Sequence, residues 1–122
     1  MIETAQTFIE RKRLKCLGKV FKTKDISRNG KHLWKIEAIT FFQQSTYLEK
    51  IFTIERIVYT GKEGEILLVH DMGYQEYRIG YYIVGKNGNK TNKWTWGQFC
   101  PFIPTEDLPK LIEKAKNEGT IL

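Results

Sequence analysis

Few side chains in this sequence are placed for covalent catalysis. The chain has only two cysteines and two histidines, and a thiol nucleophile needs an imidazole base beside it. Cys100 lies between Phe99 and Pro101, a setting typical of a buried and unreactive thiol. His70 directly precedes Asp71, but neighbouring residues of a strand point to opposite faces, which disfavours a paired His–Asp unit. The sequence therefore predicts no nucleophilic site.

Metal-dependent chemistry is no better supported. Nuclease-type sites need several carboxylates that converge on a metal ion, and nothing in the spacing of Glu55, Glu65 and Glu76 requires them to meet. The two cysteines have no metal-ligand spacing. The glycines on either side of Lys86 lack the Gly-Lys-Ser/Thr ending of a phosphate-binding loop. We therefore expect a protein that is not an enzyme and that uses no metal and no cofactor.

Positive charge is concentrated in one segment of the chain. Residues 11–35 have a net charge of +9, whereas the whole chain is only +6. The remainder of the chain is therefore net negative. Segregated charge of this kind indicates an anionic partner. The ten basic residues of the segment are Arg11, Lys12, Arg13, Lys15, Lys19, Lys22, Lys24, Arg28, Lys31 and Lys35.

Alternating polarity predicts that much of this segment is extended. Over residues 8–24, apolar and small side chains share one face of a strand or strand pair and basic side chains share the other. Asn29-Gly30 is a strong hairpin signal, so a strand over residues 31–42 should return beside the first. The outward face would hold the candidate phosphate contacts, which are Arg11, Arg13, Lys15, Lys19, Lys31 and Lys35. Two alternatives stay open: a helix over residues 4–14, and a lysine-rich face that only keeps an edge strand soluble.

A tryptophan pair is the second candidate binding element. Trp94 and Trp96 are two residues apart, next to Lys93, so both side chains lie on one face of a strand. If exposed, they would stack on nucleic-acid bases. If buried, they would pack beneath the C-terminal helix. The sequence leaves both arrangements open.

The whole pattern predicts one α+β domain over residues 1–122. Short aromatic and β-branched runs between Gly and Asn turns indicate a mostly antiparallel, strongly curved sheet or small barrel of six to seven strands. One of these strands is a short apolar run over residues 66–70.

A single helix is predicted after the last strand. Apolar residues recur at helical spacing from Leu108 to Ala115, which indicates a C-terminal helix over about residues 105–118. The corner that leads into it should bury Phe99, Cys100 and Phe102 beneath this helix, since Pro101 ends the strand ladder.

These observations favour a small basic binding module, with nucleic acid as the leading partner. The first alternative is a protein-interaction module, an inhibitor or adaptor that binds an acidic protein surface or forms a homodimer. The second is a small-molecule binder with an aromatic pocket lined by Trp34, Tyr81 and Trp96. The sequence shows neither a signal peptide nor a long apolar run, so we expect a cytoplasmic protein with no membrane contact. The choice between DNA, RNA and protein, the base specificity and the oligomeric state stay open.

Overall fold

A five-stranded sheet with a helix near each end of the chain forms the fold. The computed structural model describes residues 1–122. Its elements, in chain order, are α1 (Ala5–Cys16), β1 (Val20–Lys24), β2 (Gly30–Gln43), β3 (Lys50–Gly64), β4 (Gln75–Val84), β5 (Trp94–Trp96) and α2 (Asp107–Asn117). A single 3₁₀ turn over Gly88–Lys90 lies in the loop between β4 and β5. Neither helix is long and apolar enough to cross a bilayer.

The sheet is an antiparallel meander in the order β1-β2-β3-β4-β5, and it curls strongly into a half-barrel. Register irregularities in the β2–β3 ladder, at Leu33/Trp34 and Ile36/Ala38, increase the local twist. Curling brings the Phe21 ring of β1 to 4.1 Å from the Arg78 guanidinium of β4. In a flat sheet these two strands would lie about 14 Å apart. The face that carries Phe21 and Arg78 is therefore the concave face.

The predicted count of six to seven strands was too high. Residues 66–70 form no strand and lie in the connection between β3 and β4. Leu67, Leu68 and Val69 are exposed there. This apolar run resembles a strand in sequence, but it does not cover a face of the sheet. The predicted antiparallel pairing and the hairpin around Asn29-Gly30 are confirmed, because Lys24 pairs with Lys31 across that turn.

An N-terminal helix replaces the first predicted strand. The Thr4 hydroxyl accepts a hydrogen bond from the Thr7 backbone N–H at 3.2 Å, which satisfies one free donor of the first turn. Phe8 and Cys16 are the buried residues of α1. The predicted strand over residues 8–24 was thus wrong as far as Cys16, and the alternative helix over 4–14 is the one that forms. The alternation of basic and apolar residues resembled a strand pattern because α1 buries only a narrow stripe of side chains.

The two helices pack on opposite faces of the sheet and create two cores. On the concave face, Phe8 and Cys16 of α1 join the larger core, which is centred on Phe41, Ile51 and Tyr59. On the convex face, Leu111 and Ala115 of α2 pack in a second core with Phe52, Ile54 and Tyr81 of the sheet. The C-terminal helix is therefore confirmed, but it is the second of two rather than the only one.

The corner before α2 differs from its prediction. Phe99 and Phe102 are 82% and 85% exposed, and Cys100 is exposed too. The cause lies at Gly97, whose N–H donates to the Tyr81 carbonyl at 2.8 Å. A Cβ at position 97 would lie 2.0 Å from the Tyr81 ring, so the backbone itself covers that ring and the following residues run along the surface.

One edge of β2 is covered by side chains rather than by a strand. β1 pairs with β2 only as far as Lys35. Beyond that point, Nη1 of Arg13 in α1 donates to the Ile39 carbonyl at 2.7 Å. Nζ of Lys114 in α2 donates to the Phe41 carbonyl. Each helix therefore donates a hydrogen bond to one carbonyl that would otherwise need an adjacent strand as its partner.

Candidate functional site

A cavity of about 570 Å³ occupies the middle of the concave face. Helix α1 covers one end of this face, where Phe8 packs on Tyr82. The other end is covered by the β3–β4 connection, because the His70 ring packs on the rings of Trp34 and Tyr59. The uncovered part between them, here called the central cavity, is lined by α1, the α1–β1 connection, the sheet and the β4–β5 loop.

An ion pair lies in the floor of the central cavity. Nε of Arg78 donates to Oε1 of Glu55 at 2.5 Å. The Glu55 side chain is 1% exposed and the Arg78 side chain is 34% exposed. The two residues face each other across the β3–β4 ladder, so their pairing follows directly from the sheet register. The carboxylate neutralises the guanidinium, whose Nη atoms stay free of carboxylate partners.

Aromatic rings form the walls of the central cavity. The Trp94 ring stacks on Phe8 at 5.3 Å, and its Nε1 donates to the Glu3 carbonyl at 2.8 Å. The edge of the Trp96 ring lies so close to Gly80 that a Cβ there would be 2.3 Å away. Both tryptophans are half-buried. Trp94 therefore anchors α1, while Trp96 stands beside Arg78, whose guanidinium is 5.0 Å from its ring.

Titratable groups cluster beneath α1. The Lys12 ammonium group lies 5.5 Å from the Tyr82 ring. Burial raises the pKa of the Tyr82 hydroxyl well above its usual range, and the nearby Cys16 thiol and Glu55 carboxylate raise it further. Burial also lowers the pKa of Lys12, and the neighbouring cations, of which Lys15 is the strongest, add to this effect. An anion in the central cavity would relieve that repulsion.

Four lysines without carboxylate partners surround the mouth of the central cavity. They come from three separate segments, and they are Lys12, Lys19, Lys90 and Lys93. Elsewhere many cations are paired: Arg11 lies 2.9 Å from Glu3, and Lys22 lies 2.9 Å from Glu63. The mouth therefore carries positive charge that the protein itself leaves uncompensated.

The structure brings four of the nine sequence-predicted site residues to this cavity: Lys19, Lys93, Trp94 and Trp96. The other five lie elsewhere. Arg11 is paired with Glu3, and Arg13 covers the edge of β2. Lys15 is exposed on α1.

Lys31 and Lys35 belong to β2, on the face opposite His32 and Trp34, and Lys35 lies 3.7 Å from Glu37. The six basic residues predicted to form one strand face are therefore divided between α1, the α1–β1 connection and one face of β2.

Sequence reasoning missed Lys12, Lys90 and Arg78 as site residues. A signal for Lys12 was present, since Ala5, Phe8, Ile9, Lys12 and Cys16 follow helical spacing. Lys12 interrupts that apolar stripe because it faces the central cavity. No sequence pattern pointed to Arg78, whose position depends on the curling of the sheet. The pocket of Trp34, Tyr81 and Trp96 that the small-molecule alternative required does not form, because Tyr81 packs on the convex face against α2.

A second polar cluster lies at the β1–β2 turn and is structural. His32 is buried, with Nε2 at 2.6 Å from Oδ1 of Asp25 and Nδ1 at 2.8 Å from the Tyr59 hydroxyl. Hydrogen bonds from the Ser27 hydroxyl and backbone, together with the bond to His32, lower the pKa of Asp25 to about 2. Tyr59 is fully buried, so this chain of hydrogen bonds connects the turn to the core.

Comparison with protein-family models, curated proteins and solved structures finds no match for this chain. The structure contains no group of three or more His, Cys, Asp or Glu side chains arranged to hold a metal ion. Glu55 is paired with Arg78, and Glu76 accepts from the Tyr74 hydroxyl. The central cavity is therefore suited to bind an anion next to aromatic rings.

Proposed function

We propose that this protein is a non-enzymatic nucleic-acid-binding module and that a nucleic-acid strand binds at the central cavity. The observation that carries the proposal is the ring of four unpaired lysines at its mouth. Lysines on three separate segments are suited to successive phosphates of one strand, and such contacts supply affinity through counterion release. The Arg78 guanidinium lies deeper in the same cavity.

The aromatic walls favour a nucleic acid over other polyanions. Tyr82 and Trp96 line the cavity beside the cations, and their rings lie 4.9 Å apart in an edge-to-face arrangement. Proteins that bind single strands combine positive charge with aromatic surfaces that accept any base. A single strand is favoured because a duplex keeps its bases stacked away from such a recess.

The test is a salt titration with two charge-matched variants. In the first, the mouth lysines Lys12, Lys19, Lys90 and Lys93 are changed to Gln. In the control, four exposed lysines that also lack ion pairs are changed to Gln: Lys24, Lys31, Lys110 and Lys116. Binding of a labelled single-stranded oligonucleotide is followed by fluorescence anisotropy as salt increases.

The wild-type protein should lose affinity steeply with salt, with roughly 0.7 units of log–log slope per phosphate contact on a single strand. The mouth variant should lose about 3 units of slope if all four lysines bind phosphate, and the control variant should lose far less. An equal loss in both variants would show that net charge, not the central cavity, governs binding. Binding that ignores salt would refute the proposal.

A protein-interaction role is the second candidate, because one specific surface supports it. The β3–β4 connection exposes Leu67, Leu68, Val69 and Met72, and contiguous apolar exposure is a feature of interaction sites. If this surface joins two copies, the protein should dimerise at micromolar concentration in light scattering. Changing Leu67, which is 85% exposed, to Asp should then give a folded monomer. A wild-type protein that stays monomeric would exclude the homodimer.

A further inference from the structure

We infer that the central cavity takes a terminal phosphate, the phosphomonoester at the end of a nucleic-acid strand, in preference to an internal phosphodiester. This inference rests on the proposed function and assigns a chemical group to the same site. Three features of the cavity carry it: a fixed arginine in its floor, an excess of positive charge, and a recess covered at both ends.

Arg78 is held in position before any ligand arrives. Its guanidinium lies 4.1 Å from the Phe21 ring and 5.0 Å from the Trp96 ring, and its Nε is bound to Glu55. These contacts fix the plane of the guanidinium. The Nη atoms have no hydrogen-bond partner in the protein, and an arginine fork with two free nitrogens matches the oxygens of a phosphate.

The charge of the central cavity suits a dianion. Glu55 compensates Arg78, so the four mouth lysines leave the lining with a net formal charge of about +4 if all four are protonated. A phosphomonoester carries about −1.5 to −2 charges near neutral pH, whereas each phosphodiester carries one. The positive lining should therefore attract a terminal phosphate more strongly than it attracts an internal phosphodiester.

The form of the cavity favours an end over the middle of a strand. The sheet closes its floor, and Trp94 stacked on Phe8 closes the side nearest α1. The opposite side is covered by the β3–β4 connection, through His70. For an internal phosphate to reach Arg78, its strand would have to enter and leave through the same mouth. A strand that ends in a terminal phosphate passes through the mouth only once.

The experiment compares three single-stranded oligonucleotides of one sequence, carrying a 5′-phosphate, a 3′-phosphate or hydroxyl groups at both ends, each with an internal fluorophore. One of the two phosphorylated strands should bind about tenfold or more tightly than the unphosphorylated one, because charge-assisted hydrogen bonds to the arginine are added. Competition with a nucleoside monophosphate and with inorganic phosphate then shows whether a free phosphate source occupies the same site.

Two variants locate the effect. Arg78→Lys keeps the charge but removes the fork, so the affinity ratio between phosphorylated and unphosphorylated strands should fall toward one. Because this change alters a partly buried pair, folding is checked by near-ultraviolet circular dichroism, and Lys93→Gln at the exposed mouth provides a second variant that should lower the same ratio. Lys31→Gln, which lies outside the cavity, is the control.

The outcomes separate the two proposals. If all three strands bind equally and with the steep salt dependence described above, the terminal-phosphate inference is overturned and the proposed function stands. If no strand binds, the proposed function fails as well. If the ratio is high in the wild type but unchanged in folded Arg78→Lys and in Lys93→Gln, the phosphate binds elsewhere and the inference is overturned.

Discussion

Removing the arginine of the Glu55–Arg78 pair should destabilise the protein more than removing the glutamate. The Glu55 side chain is 1% exposed, whereas the Arg78 side chain is 34% exposed. In Arg78→Met, the carboxylate that stays behind is almost completely buried. In Glu55→Met, the guanidinium left behind still has access to solvent through the central cavity.

The magnitudes follow from this asymmetry. Breaking a fully buried ion pair costs about 3–5 kcal/mol of unfolding free energy, and partial exposure of Arg78 places Arg78→Met at the low end, about 3 kcal/mol. Glu55→Met should cost about 1 kcal/mol, because an exposed cation keeps much of its hydration. The double variant should also lie within about 1 kcal/mol of wild type, since neither charge then stays unpaired. The coupling free energy is therefore about 3 kcal/mol.

Urea unfolding of the four proteins, followed by tryptophan fluorescence at neutral pH, measures this cycle. The slopes with urea should agree among the variants, so that differences in midpoint report stability. Equal losses in the two single variants would refute the argument from exposure. A double variant whose loss equals the sum of the single losses would show that the two side chains do not stabilise each other.

Three further predictions concern packing, acid stability and thiol reactivity. Phe102→Ala should change the unfolding free energy by less than about 0.5 kcal/mol because the ring is exposed. Phe52→Ala should lower it by about 3–5 kcal/mol because that ring is buried. Urea unfolding of both variants measures the difference. The folded protein holds the pKa of Asp25 at about 2, below its ordinary value of 3.8. Its stabilising contribution should therefore be complete above about pH 4 and should disappear as the pH falls toward 2. Urea unfolding across this range tests it, and Asp25→Asn should flatten the pH dependence; an unchanged dependence would contradict the assignment. A thiol reagent should label the exposed Cys100 far faster than Cys16, which is 6% exposed. Mass spectrometry of the labelled peptides measures the two rates, and equal rates would contradict the burial of Cys16.

Elements defined by local signals were predictable from the sequence. The sequence signal at Asn29-Gly30 located the hairpin, although the positive φ of that turn falls on Arg28, at 63°, and not on Asn29 or Gly30. Helix α2 depends on an apolar stripe ending in Leu111 and Ala115, both fully buried in the structure. The antiparallel sheet follows from turns between aromatic and β-branched runs. In each case neighbouring residues carry the information that decides the structure.

Helix α1 was harder to predict because one of its inward residues is charged. Lys12 stands at a position of the stripe where an apolar residue would have completed the helical pattern. A cavity-facing lysine both weakens the helical signal and contributes to the candidate site. Errors of this kind are expected at functional positions, where local rules are broken for a ligand.

The central cavity could not be predicted from spacing alone. Arg78 and Phe21 are 57 positions apart along the chain, and only the curling of four strands brings them together. The Glu55–Arg78 pairing likewise depends on the β3–β4 register. Sequence patterns identified two of the four mouth lysines and both tryptophans, but not the floor on which the ligand would rest.

The side-chain cover on the edge of β2 has a consequence for how this protein avoids aggregation. Arg13 comes from the first helix and Lys114 from the last, so the edge over residues 37–43 is protected only when both ends of the chain have docked. An unpaired edge with free carbonyls is a template for pairing with another chain. Losing either helix should therefore free one of these carbonyls, besides removing residues from a core, and should favour pairing of this edge with another chain. The two helices therefore protect one strand edge through their basic side chains, in addition to covering the two cores.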